Sequence, residues 1–108
     1  MSRYILAHDL GTSGNKATLY NLDGALCSST IYEYPTYYPD DGWVEQDSED
    51  WWKAVCVSTK ELLEKAGVNK KEIVCITFSA QMMGCLPVGI ATIMAGTGRG
   101  TSAGIGRR

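Results

Sequence analysis

The sequence predicts an α/β domain with a mixed sheet, in which three antiparallel strands precede one helix and a further strand (β-β-β-α-β). Three observations predict this order. Alternating apolar residues flank turn-forming residues at 11–14 and 23–24, as in consecutive hairpins. Apolar residues recur at helical spacing over 48–66. A nearly continuous apolar run at 73–78 then suits a buried strand.

The first part of the chain is predicted to form a three-stranded meander. Its strands cover 4–8, 16–22 and 25–34, and Asp23-Gly24 favours a two-residue hairpin turn between the second and the third. Four tyrosines and two prolines within 32–39 predict an extended crossover segment. We expect these aromatic rings to pack on the sheet, and stacking on a sugar ring is the open alternative.

One helix is predicted between the crossover and the last strand. Residues 42–46 are expected to form a short loop, after which Asp47 or Ser48 caps a helix that Gly67 stops. The last strand, 73–78, is expected to lie beside the first. The helical positions that are expected to face the core are Trp51, Trp52, Val55, Cys56, Thr59, Leu62, Leu63 and Ala66.

A turn rich in glycine and hydroxyl groups follows the first strand. Its candidate functional residues are Asp9, Gly11, Thr12, Ser13, Gly14 and Lys16. The glycines allow the backbone to approach an anion, with positive φ if the turn requires it, and the hydroxyl and ammonium groups add donors. The carboxylate suits a magnesium ion held through water. The same residues also suit an ordinary hairpin whose side chains satisfy turn amides, so both interpretations stay open.

Three motifs, in this order, resemble the FGGY family of carbohydrate kinases, which includes xylulokinases and glycerol kinases. The motifs are Asp9-Leu10-Gly11-Thr12-Ser13-Gly14-Asn15-Lys16, Gly42-Trp43-Val44-Glu45-Gln46-Asp47 leading to Trp51-Trp52, and Phe78-Ser79-Ala80-Gln81-Met82-Met83-Gly84. The first motif also resembles the phosphate motif of the wider sugar kinase, actin and heat-shock ATPase superfamily. Together the motifs extend over about residues 3–88. The resemblance implies the beginning of a ribonuclease-H-like (actin-like ATPase) domain.

The resemblance also implies a reaction, in which the γ-phosphoryl group of ATP is transferred to a sugar or polyol hydroxyl with the help of Mg2+. It assigns the phosphate contacts to the first motif and the metal, held through water, to Asp9. Members of the family are several times longer than this chain. We therefore expect a truncated form that lacks the general base and the adenosine site, and that is inactive alone.

The third motif is where the resemblance implies sugar binding, through Gln81, Met82 and Met83. Xylulokinase-like relatives commonly carry Gln-Met-His-Gly, and Met83 replaces that histidine, which removes one hydrogen bond to a hydroxyl and argues against D-xylulose. The Arg-Glu pair with which glycerol kinases bind the polyol is missing, which argues against glycerol. The methionines have an alternative role as adaptable core residues.

The resemblance ends at Val88, which divides the chain into the start of an N-terminal sugar-kinase domain, 1–88, and a divergent tail, 89–108. The tail contains half of the chain's twelve glycines and no acidic residue, a composition typical of a flexible segment. We interpret it as a frameshifted or misread continuation of a longer kinase gene. Its Gly96-Thr97-Gly98-Arg99-Gly100 run is a weak match to a nucleotide-binding loop.

Composition argues against several other classes. A net charge of -2 and a pI near 5.3 give no sign of a nucleic-acid partner. No apolar run is long enough to span a membrane and no signal pattern is present, so a cytoplasmic location is expected. The four cysteines form no Cys-x-x-Cys pair, and His8 and the adjacent Asp9 are expected to point to opposite faces of their strand. Both residue types are therefore expected to have structural roles.

A second functional class stays open, namely a small non-catalytic module derived from such a kinase. Exposed sheet edges would then pair between chains and give a homo-oligomer. A heat-shock or actin-like ATPase shares the first motif but leaves the other two unexplained.

Overall fold

The computed structural model describes residues 2–82, 84–86 and 102–107. The strands and the helix in this part of the chain are β1 (Tyr4–Leu10), β2 (Gly14–Asn21), β3 (Leu26–Glu33), β4 (Trp43–Asp47), α1 (Ser48–Ala66), β5 (Ile73–Ala80) and β6 (Ser102–Arg107). A short 3-10 turn at Lys70–Glu72 leads into β5. No helix within these residues combines the length and the apolar character needed to cross a membrane.

Four of the strands form one mixed sheet in the order β3-β2-β1-β5. The β1–β2 and β2–β3 pairs are antiparallel, whereas β1 and β5 are parallel. The predicted meander, the mixed sheet and the crossover through one helix are thereby confirmed. Because β1 and β5 are parallel, their carboxyl ends lie at the same edge of the sheet, and this edge carries the candidate site.

Helix α1 packs against β2 and β3 and closes a small core. The buried core residues that cluster together are Leu6, Ala17, Leu19 and Leu62. The buried positions along the helix are Ala54, Ser58 and Leu62. The predicted stripe was wrong for Trp52, which is 64% exposed, and for Cys56, which is also exposed. A helix has about 3.6 residues per turn, so the two residues that follow Trp51 and Val55 are rotated away from the sheet.

Both predicted helix ends are confirmed. The Asp47 side chain accepts a hydrogen bond from the Glu49 N–H, and Asp47 has the extended backbone of an N-terminal cap. Gly67 adopts the left-handed conformation with φ 68°, and its N–H reaches the carbonyl of Glu64. Only glycine takes up this conformation at little cost, so the chain stops the helix here.

Two turn predictions were wrong. Residues 42–46 were expected to be a loop, but 43–46 lie in β4, which pairs with β6 in a second, two-stranded antiparallel sheet. The hairpin between β2 and β3 has a three-residue loop instead of the predicted two. Its closing bonds join Asn21 to the N–H of Gly24 (3.1 Å) and to the carbonyl of Ala25 (3.0 Å), and the Asn21 side chain also accepts from the Ala25 N–H.

Strand β6 lies in the segment predicted to be a flexible tail. Residues 87–101 lie outside the described residues, as does the Gly96–Gly100 run, so flexibility of the tail stays a prediction.

Strand β5 lies beside β1 as predicted, but the prediction that it is buried was wrong. The side chains of Val74, Ile76 and Phe78 are 52, 55 and 55% exposed. Strand β5 is the outer strand of the sheet, and no other described element covers it. Its apolar composition is therefore not matched by burial within the described residues.

Candidate functional site

The loop between β1 and β2 gathers most of the predicted phosphate-binding residues around one surface cavity. The cavity is lined by Asp9, Gly11, Ser13, Gly14, Lys16, Ile31 and Glu33. Asp9 and Lys16 are cross-strand partners in β1 and β2, and both side chains are exposed. A carboxylate and an ammonium group therefore stand beside the loop. Thr12, the remaining predicted residue, does not line the cavity.

The carbonyl groups of this loop are held by residues from two distant segments. The Tyr34 hydroxyl donates to the Gly11 carbonyl, and the Tyr34 N–H donates to the Ser13 carbonyl (3.2 Å). Gln46 Nε2 donates to the Thr12 carbonyl (2.6 Å). A trans peptide points its N–H away from its C=O, so the N–H groups of Thr12 and Ser13 point away from these anchors. Successive N–H groups that point outward can bind an anion.

Gly14 is required by packing, which differs from the role that the sequence predicted for it. Positive φ was considered for Gly11 and Gly14, but in the described chain it occurs at three other glycines. A Cβ atom at position 14 would lie 2.8 Å from the Tyr32 carbonyl oxygen and 3.1 Å from Glu33 Cα. The close approach of β2 to β3 therefore excludes a side chain here.

The charge of Asp9 acts on the residue that holds the loop. Burial, together with the negative charge of Asp9, raises the pKa of Tyr34 to about 12. The Tyr34 hydroxyl therefore stays protonated at neutral pH and remains a donor to the Gly11 carbonyl. Its hydrogen bond to the loop does not depend on pH in the physiological range.

The side chains beside the loop suit a hydrated magnesium ion and not a bare one. Within the described residues, no three His, Cys, Asp or Glu side chains come together as metal ligands. A protein cage for a bare ion is therefore not formed in this part of the chain. The exposed carboxylate of Asp9 suits a hydrated Mg2+ that also contacts phosphate oxygens, which is how this cation is commonly bound.

Gln81 connects the predicted sugar-binding segment to the same loop. Its N–H donates to the Leu10 carbonyl (2.7 Å), which extends the parallel β1–β5 ladder to the start of the loop. Its Nε2 donates to Gln46 Oε1 (2.7 Å), while its Oε1 is buried and has no partner in the described structure. Gln81 lines a cavity of about 180 Å³ whose walls also include Leu10 and Trp51.

The other two predicted sugar-binding residues are the methionines that follow Gln81, and neither is assigned to this cavity. The Met82 side chain is 84% exposed and does not line this cavity. Met83 lies outside the described residues, so its predicted role in sugar binding stays a prediction.

A buried polar network lies beneath the loop. Asn15 Nδ2 donates to His8 Nδ1 (2.9 Å) and to Ser58 Oγ (2.9 Å), and His8 Nε2 lies 3.1 Å from Thr59 Oγ1. The His8 ring also stacks on Phe78, with ring centroids 5.2 Å apart. With the Asn15 amide in this orientation, Nδ1 accepts and the proton of the neutral ring lies on Nε2, while Asn15 Oδ1 is buried without a partner among the described residues. Burial lowers the pKa of His8, so the ring is neutral at pH 7.

The sequence did not predict that Tyr34 and Gln46 hold the loop, or that Trp51 contacts Gln46. Tyr34 was expected to pack on the sheet, with stacking on a sugar ring as the alternative, and Gln46 was placed in a loop. The one available signal was that Gln46 and Trp51 belong to the second family-like motif. That signal identifies the residues but does not indicate what they contact.

Known carbohydrate kinases are similar to this chain in both sequence and structure. Residues 4–90 match the N-terminal domain of the FGGY family of carbohydrate kinases. A glycerol kinase of Rippkaea orientalis is 38% identical over 85 residues, which are 79% of this chain and 17% of that kinase. The gluconate kinase structure from Lactobacillus acidophilus has a TM-score of 0.79 and 25% identity, and the match covers 94% of this chain and 19% of that one.

A ligand-bound xylulose kinase from the same organism has a TM-score of 0.77 and 26% identity over 93% of this chain and 19% of its own. The chain thus spans less than a fifth of the length of these relatives. The similarity to sugar kinase structures confirms the predicted ribonuclease-H-like (actin-like ATPase) fold. The family model covers most of the sequence, and the chain belongs to the FGGY family of carbohydrate kinases.

Proposed function

We propose that this chain provides the phosphate-binding loop and part of the sugar-binding wall of an ATP-dependent carbohydrate kinase. The reaction would transfer the γ-phosphoryl group of ATP to a hydroxyl of a sugar or polyol. The observation that carries the proposal is the hydrogen-bonded unit of the β1–β2 loop, Gln46 and Gln81. Within this unit, one side chain joins the candidate phosphate loop to the candidate sugar-binding residue.

The loop has the properties that phosphate binding needs. The N–H groups of Thr12 and Ser13 point away from the side chains that hold the loop, and both residues are exposed. Phosphoryl transfer depends mainly on positioning and on neutralising charge, with little covalent chemistry for the protein to perform. A loop whose carbonyls are already anchored provides such positioning before the nucleotide binds.

Charge neutralisation would come from Mg2+ and from Lys16. We assign Asp9 as the residue that holds the hydrated ion, and the ion, when bound, neutralises the β- and γ-phosphate oxygens. Lys16 lies directly across from Asp9 in the β1–β2 pair, so its ammonium group can offset phosphate charge at the same edge.

The acceptor substrate would be a polyhydroxylated molecule. The relatives are named as glycerol, gluconate and xylulose kinases, whose acceptors all carry several hydroxyl groups. Gln81 can supply one hydrogen-bond acceptor to such a molecule through its buried, unpartnered Oε1.

We expect the 108-residue chain to bind Mg-ADP and a polyol but not to catalyse phosphoryl transfer between them. By the family resemblance, the general base and the adenosine site lie in other parts of the kinase.

The test is a titration of the ¹⁵N-labelled 108-residue chain with Mg-ADP, followed by NMR. We expect the amide signals of Thr12, Ser13 and Gly14 to shift, and we expect Asp9→Ala to weaken the effect. Asp23→Ala is the matched control, because Asp23 is an exposed carboxylate at the opposite end of β2. Binding that leaves the loop signals unchanged, or that both variants weaken equally, would overturn the phosphate assignment.

Turnover is tested separately, as magnesium-dependent ADP release with a panel of ketopentoses, ketohexoses and polyols. We expect no sugar-dependent release from the 108-residue chain. Release that is lost in Asp9→Ala would show that this chain contains a complete active site, contrary to the proposal.

A second function is favoured by the exposed outer edge of β5. No described strand pairs with this edge, and the alternating side chains of Val74, Ile76 and Phe78, on one face of the same strand, are each more than half exposed. Such an edge is a template for pairing with another chain, so a self-associating module is the alternative. Sedimentation velocity should then show a dimer that Ile76→Lys disrupts. A monomer at all protein concentrations would exclude this alternative.

A further inference from the structure

Gln46 is a fully buried polar side chain in which both ends of the amide are satisfied. It is 0% exposed. Its Nε2 donates to the Thr12 carbonyl (2.6 Å) and to Thr36 Oγ1 (3.0 Å). Its Oε1 accepts from Trp51 Nε1 (3.0 Å) and from Gln81 Nε2 (2.7 Å). Gln46 therefore contacts the candidate phosphate loop with one end of its amide and the candidate sugar-binding residue with the other.

The chemistry of two neighbours fixes which way the Gln46 amide is turned. An indole N–H can only donate, so the atom that faces Trp51 must be the oxygen. A peptide carbonyl can only accept, so the atom that faces Thr12 must be the nitrogen. A rotated amide would bring a donor against a donor and an acceptor against an acceptor in a buried place, which is costly.

The orientation of Gln46 in turn fixes the orientation of Gln81. Gln46 offers an oxygen, so Gln81 must offer its NH2 group in return. The oxygen of Gln81 is then the atom left over, and it is buried without a partner in the described structure. A buried acceptor without a donor is unfavourable, so a ligand that brings a donor to it gains affinity.

We infer that Gln46 is a positioning residue, which fixes the polarity of the Gln81 amide and leaves Oε1 as a hydrogen-bond acceptor beside the cavity lined by Leu10, Trp51 and Gln81. This inference rests on the proposed function for its ligand. A ligand hydroxyl that reaches this buried oxygen would be favoured, and a carbonyl or ether oxygen in the same place would be disfavoured because it cannot donate. The same Gln46 amide holds the Thr12 carbonyl, so one side chain orders both halves of the site.

Two substitutions of Gln46 test the two ends of its amide separately. Gln46→Glu keeps an oxygen towards Trp51 and Gln81 but loses the NH2 group that donates to Thr12. Gln46→Met has a similar volume and loses both. Thr36→Val is the matched control, because it removes one hydrogen bond of the Gln46 amide without touching Gln81.

The primary readout needs no ligand, namely hydrogen exchange of the Gln81 side-chain amide, measured by NMR on the ¹⁵N-labelled 108-residue chain. Exchange is expected to be about tenfold faster in Gln46→Met than in the unsubstituted chain, as follows from loss of one hydrogen bond of ordinary strength. Gln46→Glu and Thr36→Val are expected to retain slow exchange. The amide signals of Thr12 and Ser13 are expected to shift in both Gln46 variants. If Gln46 only filled space, Gln46→Glu would not shift the loop signals while leaving exchange of the Gln81 amide slow.

A second readout tests the ligand. Glycerol, D-xylulose and D-gluconate are titrated separately, and the Gln81 side-chain signal is expected to shift with at least one, with about tenfold weaker binding in Gln46→Met. Equally slow exchange of Gln81 in all variants would overturn the positioning role, whichever polyols bind. The predicted exchange pattern without a response to any polyol would support the positioning role and overturn the proposed sugar site.

Discussion

Replacing Gly14 with alanine is expected to destabilise the domain, because the added methyl group has no room. Its Cβ would lie 2.8 Å from the Tyr32 carbonyl oxygen and 3.1 Å from Glu33 Cα, and both are backbone atoms of β3. Relief therefore requires the two strands to separate. Overpacking of this kind costs about 1–3 kcal/mol. For a domain of this size, that corresponds to a fall in Tm of roughly 4 to 24 °C.

Gly11→Ala is the matched control, in the same loop. A Cβ there would lie 3.4 Å from the Gly14 carbonyl oxygen, which is ordinary contact, and the φ of Gly11 is not positive. Alanine restricts the unfolded chain, so this variant is expected to be as stable as the unsubstituted protein or about 0.4–1 kcal/mol more stable. Thermal and urea unfolding followed by far-UV circular dichroism measure both. Equal stability of the two variants would refute the packing argument for Gly14.

Three further changes have defined outcomes. Leu62→Ala removes a fully buried side chain and should cost about 2–5 kcal/mol in urea unfolding; a cost no larger than that of the exposed Leu22→Ala would contradict the assigned core. Asp47→Ala removes the acceptor for the Glu49 N–H and should cost about 0.5–2 kcal/mol, whereas Asp47→Asn should retain most of the stability. Burial holds the pKa of His8 below its usual 6.5. The stability that the neutral ring contributes is therefore complete above pH 6.5 and is lost as the pH falls from 6.5 through the lowered pKa. The His8→Phe variant should show a shallower loss of stability on acidification, and identical pH profiles would count against this account.

The elements that the sequence predicted correctly have local signals. Helix α1 begins after Asp47 and ends before Gly67 because the cap and the left-handed glycine act on their own neighbours. Strand β4 has no such signal. It pairs with β6, which is distant in the chain, so five residues that resemble a loop become a strand through a non-local partner. The exposure of β5 likewise depends on what covers it, which the apolar run itself does not specify.

The candidate site likewise has a part that local sequence predicts and a part that depends on distant residues. The loop residues were predictable, because Asp9 to Lys16 form a compact motif with recognisable chemistry. The side chains that hold the loop were not, since Tyr34 and Gln46 reach it over separations of 23 and 34 residues. A residue type does not reveal a hydrogen-bond partner that far away. The motif therefore predicts which residues would bind phosphate, and the structure adds which side chains order the loop.

The packing at Gly14 and the anchoring of the loop are parts of one arrangement. Tyr34 directly follows β3, and the close approach of β2 to β3 at Gly14 brings it to the Gly11 and Ser13 carbonyls. A loop that the fold already holds loses less conformational freedom when a ligand binds. Separation of the strands in Gly14→Ala should therefore also release the loop. We expect Mg-ADP affinity to fall together with Tm in that variant. Gly11→Ala adds a methyl group inside the candidate phosphate loop, so it should weaken Mg-ADP binding without a fall in Tm.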